Sequence, residues 1–175
     1  MDKRMEANRI VKDKIGMSLM HLMSKKNFSD ITVTDIITHA KVARASYYRN
    51  FSSKEDIIVS LTTDIMENFS NGLEIAGYRY DSKEGILLAF RLFRLYRLFI
   101  LRVHKAGLAS IYQEIFDDYL VRMAGNMKCS DINRYLLYYF SGALYNVFIK
   151  WVENGMREDC EQMAMLIYRR GLGPL

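Results

Sequence analysis

The interior of this chain contains no proline. Its single proline, Pro174, stands next to the last residue. Proline breaks helices by removing a backbone donor, so a chain without it runs long helices uninterrupted. Strand-like alternation is also rare, whereas the helix formers Leu, Met, Lys and Glu are plentiful. These features together predict an all-α protein. Cysteine is scarce too: Cys129 and Cys160 are too few for a disulfide framework or a metal knuckle, and a reducing compartment is the simplest reading. No apolar run approaches the ~20 residues that span a bilayer. The opening stretch MDKRMEANRIVKDK is charged throughout and has no apolar signal-peptide core. The expected setting is the cytoplasm, with no membrane partner. His21, His39 and His104 lie far apart in sequence, each a surface or structural residue on that reading. No Ser-His-Asp spacing, metal-ligand cluster or phosphate loop appears. The expectation is a protein that is not an enzyme, with no metal and no cofactor.

Charge is present in quantity and unevenly placed. The net charge is +5 over 175 residues. Residues 1–60 hold 11 Lys/Arg against 7 Asp/Glu, and residues 61–175 hold 14 against 13. A basic first third suits an anionic partner, with nucleic acid the leading candidate. On charge alone, chance asymmetry explains the pattern equally well. Apolar residues make up 50%, enough for a substantial core at this length.

Helical periodicity predicts a first helix over residues 3–25, with Ile10, Val11, Ile15, Leu19, Leu22 and Met23 on its apolar side. Thr32 with Asp35 three residues on is a capping box for a short helix ending near Ala40. A second short helix covers 44–51. Ser52 or Ser53 then caps a longer one over 54–76, with Glu55 or Asp56 at its third position. GYRYDS, residues 77–82, is the clearest break. Beyond it lie a long apolar helix over 83–104, one over 108–123, one capped by Ser130 or Asp131 and stopped at Gly155, and a last one over 157–170 followed by Gly171.

Two short helices joined by a tight turn and preceded by a longer helix describe a helix-turn-helix unit. The second short helix, RASYYRN, has what entry into a DNA groove requires. Ala45 and Ser46 permit close approach. Arg44, Ser46, Tyr48, Arg49 and Asn50 carry polar groups for bases and phosphates. Tyr47 and Phe51, four apart, pack inward. An ordinary helical hairpin that never touches DNA is the competing reading.

The segment ITVTDIITHAKVARASYYRNFSSKEDII, residues 31–58, resembles the DNA-binding segment of the TetR family of bacterial transcription regulators. Those proteins read I-T-V-x-x-I-A-x-x-A-G-V-S-x-x-T-x-Y-x-x-F-x-S-K-E-x-L. Phe28 precedes the match at the expected place, and the series Tyr48, Phe51, Ser53, Lys54, Glu55 is its most specific part. The resemblance implies that Thr32 binds phosphate, Thr34 points toward the groove, and Arg44, Ala45 and Ser46 lead in reading bases. It places Tyr48 and Asn50 on the DNA backbone and has Lys54 reach a phosphate. Ile36, Val42, Tyr47 and Phe51 are then structural. Two positions depart from the pattern. Lys41 replaces the usual turn glycine, at about 1 kcal/mol if its φ is positive. Ala43 replaces the usual capping serine, forfeiting roughly 0.5–2 kcal/mol.

These signals divide the chain into a helix-turn-helix head (1–53), a connecting helix (54–76) and a helical body (77–175) for dimerisation and effector binding. The predicted helix 131–154 carries two apolar stripes. Ile132, Tyr135, Leu136, Tyr139, Ala143, Val147 and Trp151 form one; Leu137, Phe140, Leu144 and Phe148 form the other. One stripe serves the chain's own core and the other a second copy. Tyr139, Ala143, Val147 and Trp151, joined by Met163 and Ile167 of the last helix, are the expected homodimer contacts. A purely intramolecular core is the alternative. The resemblance also implies a small-molecule effector among the middle helices. GILLAFRLFRLYRLFILRVHKAG mixes aromatics with arginines, and Phe93, Arg94, Tyr96 and Arg97 are the candidate effector wall. A core helix with a snorkelling arginine face accounts for the same stretch. The function implied is a dimeric repressor released from a palindromic double-stranded DNA operator by that effector. The alternative is a protein-interaction module or coactivator that uses its helical body.

Overall fold

The computed structural model describes residues 3–125 and 132–170, and within them every regular element is helical. In chain order these are α1 (Lys3–Leu22), a single 3-10 turn (Phe28–Asp30), α2 (Val33–Ala40), α3 (Arg44–Asn50), α4 (Lys54–Ala76), α5 (Lys83–Leu95), α6 (Arg97–Lys105), α7 (Ala109–Met123), α8 (Asn133–Glu153) and α9 (Cys160–Arg170). The candidate cap at Ser130 or Asp131, Cys129 and Gly171 all lie outside the described residues.

The head closes on Ile15 and Leu19 of α1, Ile36 of α2, Tyr47 of α3, and Ile57 and Ile58 of α4. Burying an aliphatic side chain of this size stabilises by about 1.5–3 kcal/mol. Ser18 is buried in this core and its hydroxyl donates to the Ile36 carbonyl at 3.0 Å, locking α1 to α2. Both predicted capping boxes form. Thr32 pairs with Asp35, and Ser53 pairs with Asp56 rather than Glu55.

The body is organised around aromatic rings. Phe93 packs against Phe148 at 4.9 Å, Phe116 at 6.0 Å and Tyr112 at 6.4 Å between centroids; Phe90 and Trp151 meet at 5.6 Å. α5 lies along α9, with Arg91 and Glu161 paired at 2.6 Å, and α7 packs between α4 and α8. The Gln113 amide donates to Ser141 at 2.8 Å, and the Ser141 hydroxyl donates to Asp117, which fixes α7 to α8. Head and body are tied directly as well: the Arg102 guanidinium of α6 donates to the Met20 carbonyl of α1 at 2.8 Å.

Three predicted boundaries change. The first helix ends at Leu22, not at residue 25, and the next residues turn toward Phe28. The helix expected over 83–104 splits at Tyr96 (φ −96°, ψ 13°). At this break the Arg97 guanidinium donates to the Arg94 carbonyl at 2.9 Å. The last helix starts at Cys160 rather than 157. Asp159 caps it: its carboxylate accepts from Gln162 N–H at 2.7 Å while its own N–H donates to the Gln162 amide oxygen at 2.9 Å.

Candidate nucleic-acid interface

The turn between α2 and α3 is built by backbone geometry more than by side chains. Lys41 adopts the left-handed conformation (φ 54°, ψ 46°). Its N–H donates to the Thr38 carbonyl, and Val42 N–H reaches the Ile37 carbonyl at 3.1 Å, closing α2 in a Schellman arrangement. The same closure ends α4, where the left-handed residue is Gly77. Lys41 therefore carries the strain expected of a residue with a Cβ there. Ala43 stands at the start of α3 with no side-chain cap.

α3 is anchored from below and open above. Tyr47 is fully buried, edge-on to Tyr48 at 5.2 Å and tilted against Phe51 at 6.1 Å. Burial pushes its phenol up to about 12, with the nearby Tyr48 and Asp56 adding to the shift. Its hydroxyl has no hydrogen-bond partner among the described residues. Tyr48, one residue on, is 51% exposed. Arg44, Ala45 and Arg49 are exposed beside it, and Ser46 and Asn50 are half-buried. Arg44 folds over Tyr48, its guanidinium 5.5 Å from the ring centroid and 3.4 Å from the hydroxyl. Asn50 donates to the Ser46 carbonyl at 2.8 Å, so its amide NH2 is partly committed within α3. Thr34 is exposed on the first turn of α2.

Two expected phosphate ligands have other partners. The Thr32 hydroxyl accepts from Asp35 N–H at 3.1 Å and donates to the Asp35 carboxylate at 2.7 Å, so the cap uses both of its roles. Lys54 departs further from expectation. Its ammonium donates to the carbonyls of Phe28 (2.6 Å), Ile31 (3.0 Å) and Ser29 (3.2 Å), and it lies 4.4 Å over the Phe28 ring. Three donors meet three acceptors, so Lys54 clips the 3-10 turn onto α4 instead of reaching outward. Sequence reasoning also missed Lys26, which pairs with Asp35 at 2.7 Å. That contact, followed by the Thr32 N–H and hydroxyl, holds the Asp35 carboxyl well below the usual carboxylate range. The pairing crosses a turn, so helical periodicity gives no sign of it. His21 and His39, distant in sequence, stack at 4.5 Å between α1 and α2.

The candidate effector wall does not assemble into one site. Phe93 is buried in the aromatic core, Arg94 is exposed, and Tyr96 and Arg97 are half-buried at the kink. The expected dimer contacts also divide. Tyr139 is 62% exposed, and Ala143, Val147 and Ile167 are half-buried. Trp151 (3% exposed) and Met163 belong to the protomer's own core, where the Trp151 indole donates to the Glu158 carbonyl at 3.1 Å. Tyr135 of α8 and Ile132 just before it are exposed and extend the open face that Tyr139 begins.

Comparison with known proteins agrees with this architecture. Residues 19–61 match the family model described as bacterial regulatory proteins, tetR family. Residues 102–170 match the TetR-type model described as transcriptional regulator C-terminal region. No curated protein sequence matches the chain. Among solved structures, Lin0861 from Listeria innocua superposes with a TM-score of 0.80 at 17% identity, covering 97% of this chain and 91% of that one. A TetR transcriptional regulator from Streptococcus agalactiae gives 0.61 at 15% identity, covering 95% and 97%. The regulator FadR from Bacillus subtilis, in complex with stearoyl-CoA, gives 0.58 at 19% identity, covering 91% and 98%. The two family models and these folds thus converge, and the chain belongs to the TetR family of bacterial transcription regulators.

Proposed function

We propose that this regulator is a homodimeric repressor that reads a palindromic operator through α3 and leaves it when a small-molecule effector binds. One observation carries the reading. α3 presents Arg44, Ala45, Tyr48 and Arg49 outward from a helix anchored by the buried Tyr47. Arg44 and Arg49 supply base or phosphate donors, Tyr48 a phosphate donor, and Ala45 and Ser46 the clearance. Thr34 and Asn50 flank this surface. Thr32 supports it as a helix cap, and Lys54 as a clip on the turn below. The open face of α8 at Tyr135 and Tyr139 supports pairing with a second copy. A two-fold dimer would set two α3 helices on half-sites ~34–36 Å apart. That the FadR relative holds stearoyl-CoA supports an effector for this fold.

Fluorescence anisotropy with DNA from upstream of the protein's own gene tests the reading. Binding should fall steeply with salt, and Arg44→Ala should cost about 1–3 kcal/mol on the specific site. Absence of salt-sensitive binding to every candidate fragment would sink it. Sedimentation should give a dimer at micromolar concentration, and Tyr135→Asp with Tyr139→Asp should give a folded monomer. A wild-type monomer would count against the paired-head arrangement.

A further inference from the structure

A second site is written on the seam between head and body. A groove of about 660 Å³ is lined by Asp13, Gly16, Met17, Met20 and His21 of α1, by Leu61, Asp64 and Ile65 of α4, and by Tyr96, Phe99 and Arg102 of α6. The α1 set falls at spacings of three and four, which is one helix face. The volume lies within the range of small-molecule sites, about 300–1,000 Å³. Met17 is 73% exposed on this face, a large apolar side chain in open water. Met17 and Met20 are flexible and polarisable, so they re-pack around varied apolar shapes.

The charge of the groove selects among apolar ligands. Asp13 and Asp64 stand on facing helices and have no ion-pair or hydrogen-bond partner among the described residues. Both carboxylates line the same groove; burial and then Glu67 raise the Asp64 carboxyl above its ordinary value, Lys12 opposes this, and the Asp13 charge adds the smallest contribution. Arg102 also lines the groove, its guanidinium directed to the Met20 carbonyl at 2.8 Å, and the two carboxylates outnumber it. Tyr96 adds an aromatic face, to which cations are attracted. A metal ion would require a denser ligand set, and no group of three metal-ligating side chains occurs among the described residues.

We infer that this groove binds an organic cation with a bulky apolar body, its charge against Asp13 and Asp64 and its body against Met17, Met20, Tyr96 and Phe99. Such a ligand would touch the head through α1, the connecting helix through α4 and the body through α6. Cation binding in this groove does not depend on DNA binding, and it fails or holds separately from it.

Matched probes test it on the full-length chain. Tetraphenylphosphonium and tetraphenylborate share shape and aryl surface and differ in charge sign. Calorimetry should detect the phosphonium, and Asp13→Asn with Asp64→Asn should weaken it about tenfold or more, with helicity unchanged by circular dichroism. In methionine-methyl NMR, Met17 and Met20 should shift on titration while the core residue Met163 stays. The inference is overturned if the borate binds as tightly as the phosphonium. It is also overturned if the double variant keeps its affinity within about twofold, if Met163 alone responds, or if no binding is seen at millimolar probe.

Discussion

Replacing Lys54 by methionine separates two roles for one residue. The substitution keeps most of the stem and removes the ammonium. In the structure that ammonium donates to the Phe28, Ser29 and Ile31 carbonyls at 2.6, 3.2 and 3.0 Å. A hydrogen bond to a charged group contributes about 1.5–3 kcal/mol net. The Ser29 bond is exposed and adds little; the two part-buried bonds share one cation, so their values do not add in full. The ring contact with Phe28 contributes about 0.5–1 kcal/mol. The expected loss is about 2–3 kcal/mol. At roughly 2–4 °C per kcal/mol for a chain of this size, thermal unfolding by circular dichroism should fall by about 4–12 °C. A phosphate ligand predicts something different. Its removal would leave the melting temperature nearly unchanged and make the salt slope of DNA binding shallower by about 1 per phosphate no longer neutralised. A Lys54→Met protein with wild-type stability and a reduced salt slope would refute the clip. One with lowered stability and an unchanged slope, measured well below its melting temperature, would support it.

Three further outcomes follow from the fold. Lys41→Gly should relieve the left-handed strain at φ 54° and stabilise by about 0.5–1 kcal/mol, read as a rise in denaturant midpoint with unchanged m. Gly85→Ala should prevent α5 from docking, because a Cβ there would collide with the Arg79 carbonyl oxygen; a loss above about 3 kcal/mol or failure to fold is expected, and a near-neutral result in chemical denaturation would contradict the packing. Asp35 has a folded-state pKa below its unfolded value near 4, so its contribution is present above about pH 4 and lost as pH falls toward the folded value. Asp35→Asn should therefore be less stable than wild type at neutral pH, with the difference shrinking on acidification in parallel denaturant titrations.

The head was legible in the sequence because its logic is local. Tyr47 and Phe51 at four-residue spacing assign an inward face, which leaves Tyr48 outward. Thr32 and Asp35 at three-residue spacing announce a cap. The partners of Lys54 are backbone carbonyls 23 to 26 residues upstream, and backbone acceptors carry no residue-type signal. The break at Tyr96 was hidden because no proline or glycine marks it. α8 illustrates the limit of periodicity. Apolar stripes identify the faces of a helix without saying which neighbour covers each. Trp151 sat in a stripe expected to face a partner, but the turn of the chain toward α9 brings Glu158 and Phe90 around it. The groove between α1, α4 and α6 needs three segments separated by up to 89 positions, and no window of sequence contains them.

The one-residue interruption at Tyr96 divides what would have been a single rod into two arms with different attachments. The first arm, α5, is bolted to α9 through close packing and the Arg91–Glu161 pair. The second, α6, carries the Arg102 fastening to α1. The two arms thus make separate attachments, α5 to the last helix and α6 to the first. The break lies between the two attachments, and its own side chain, Tyr96, forms part of the wall of the groove beside it.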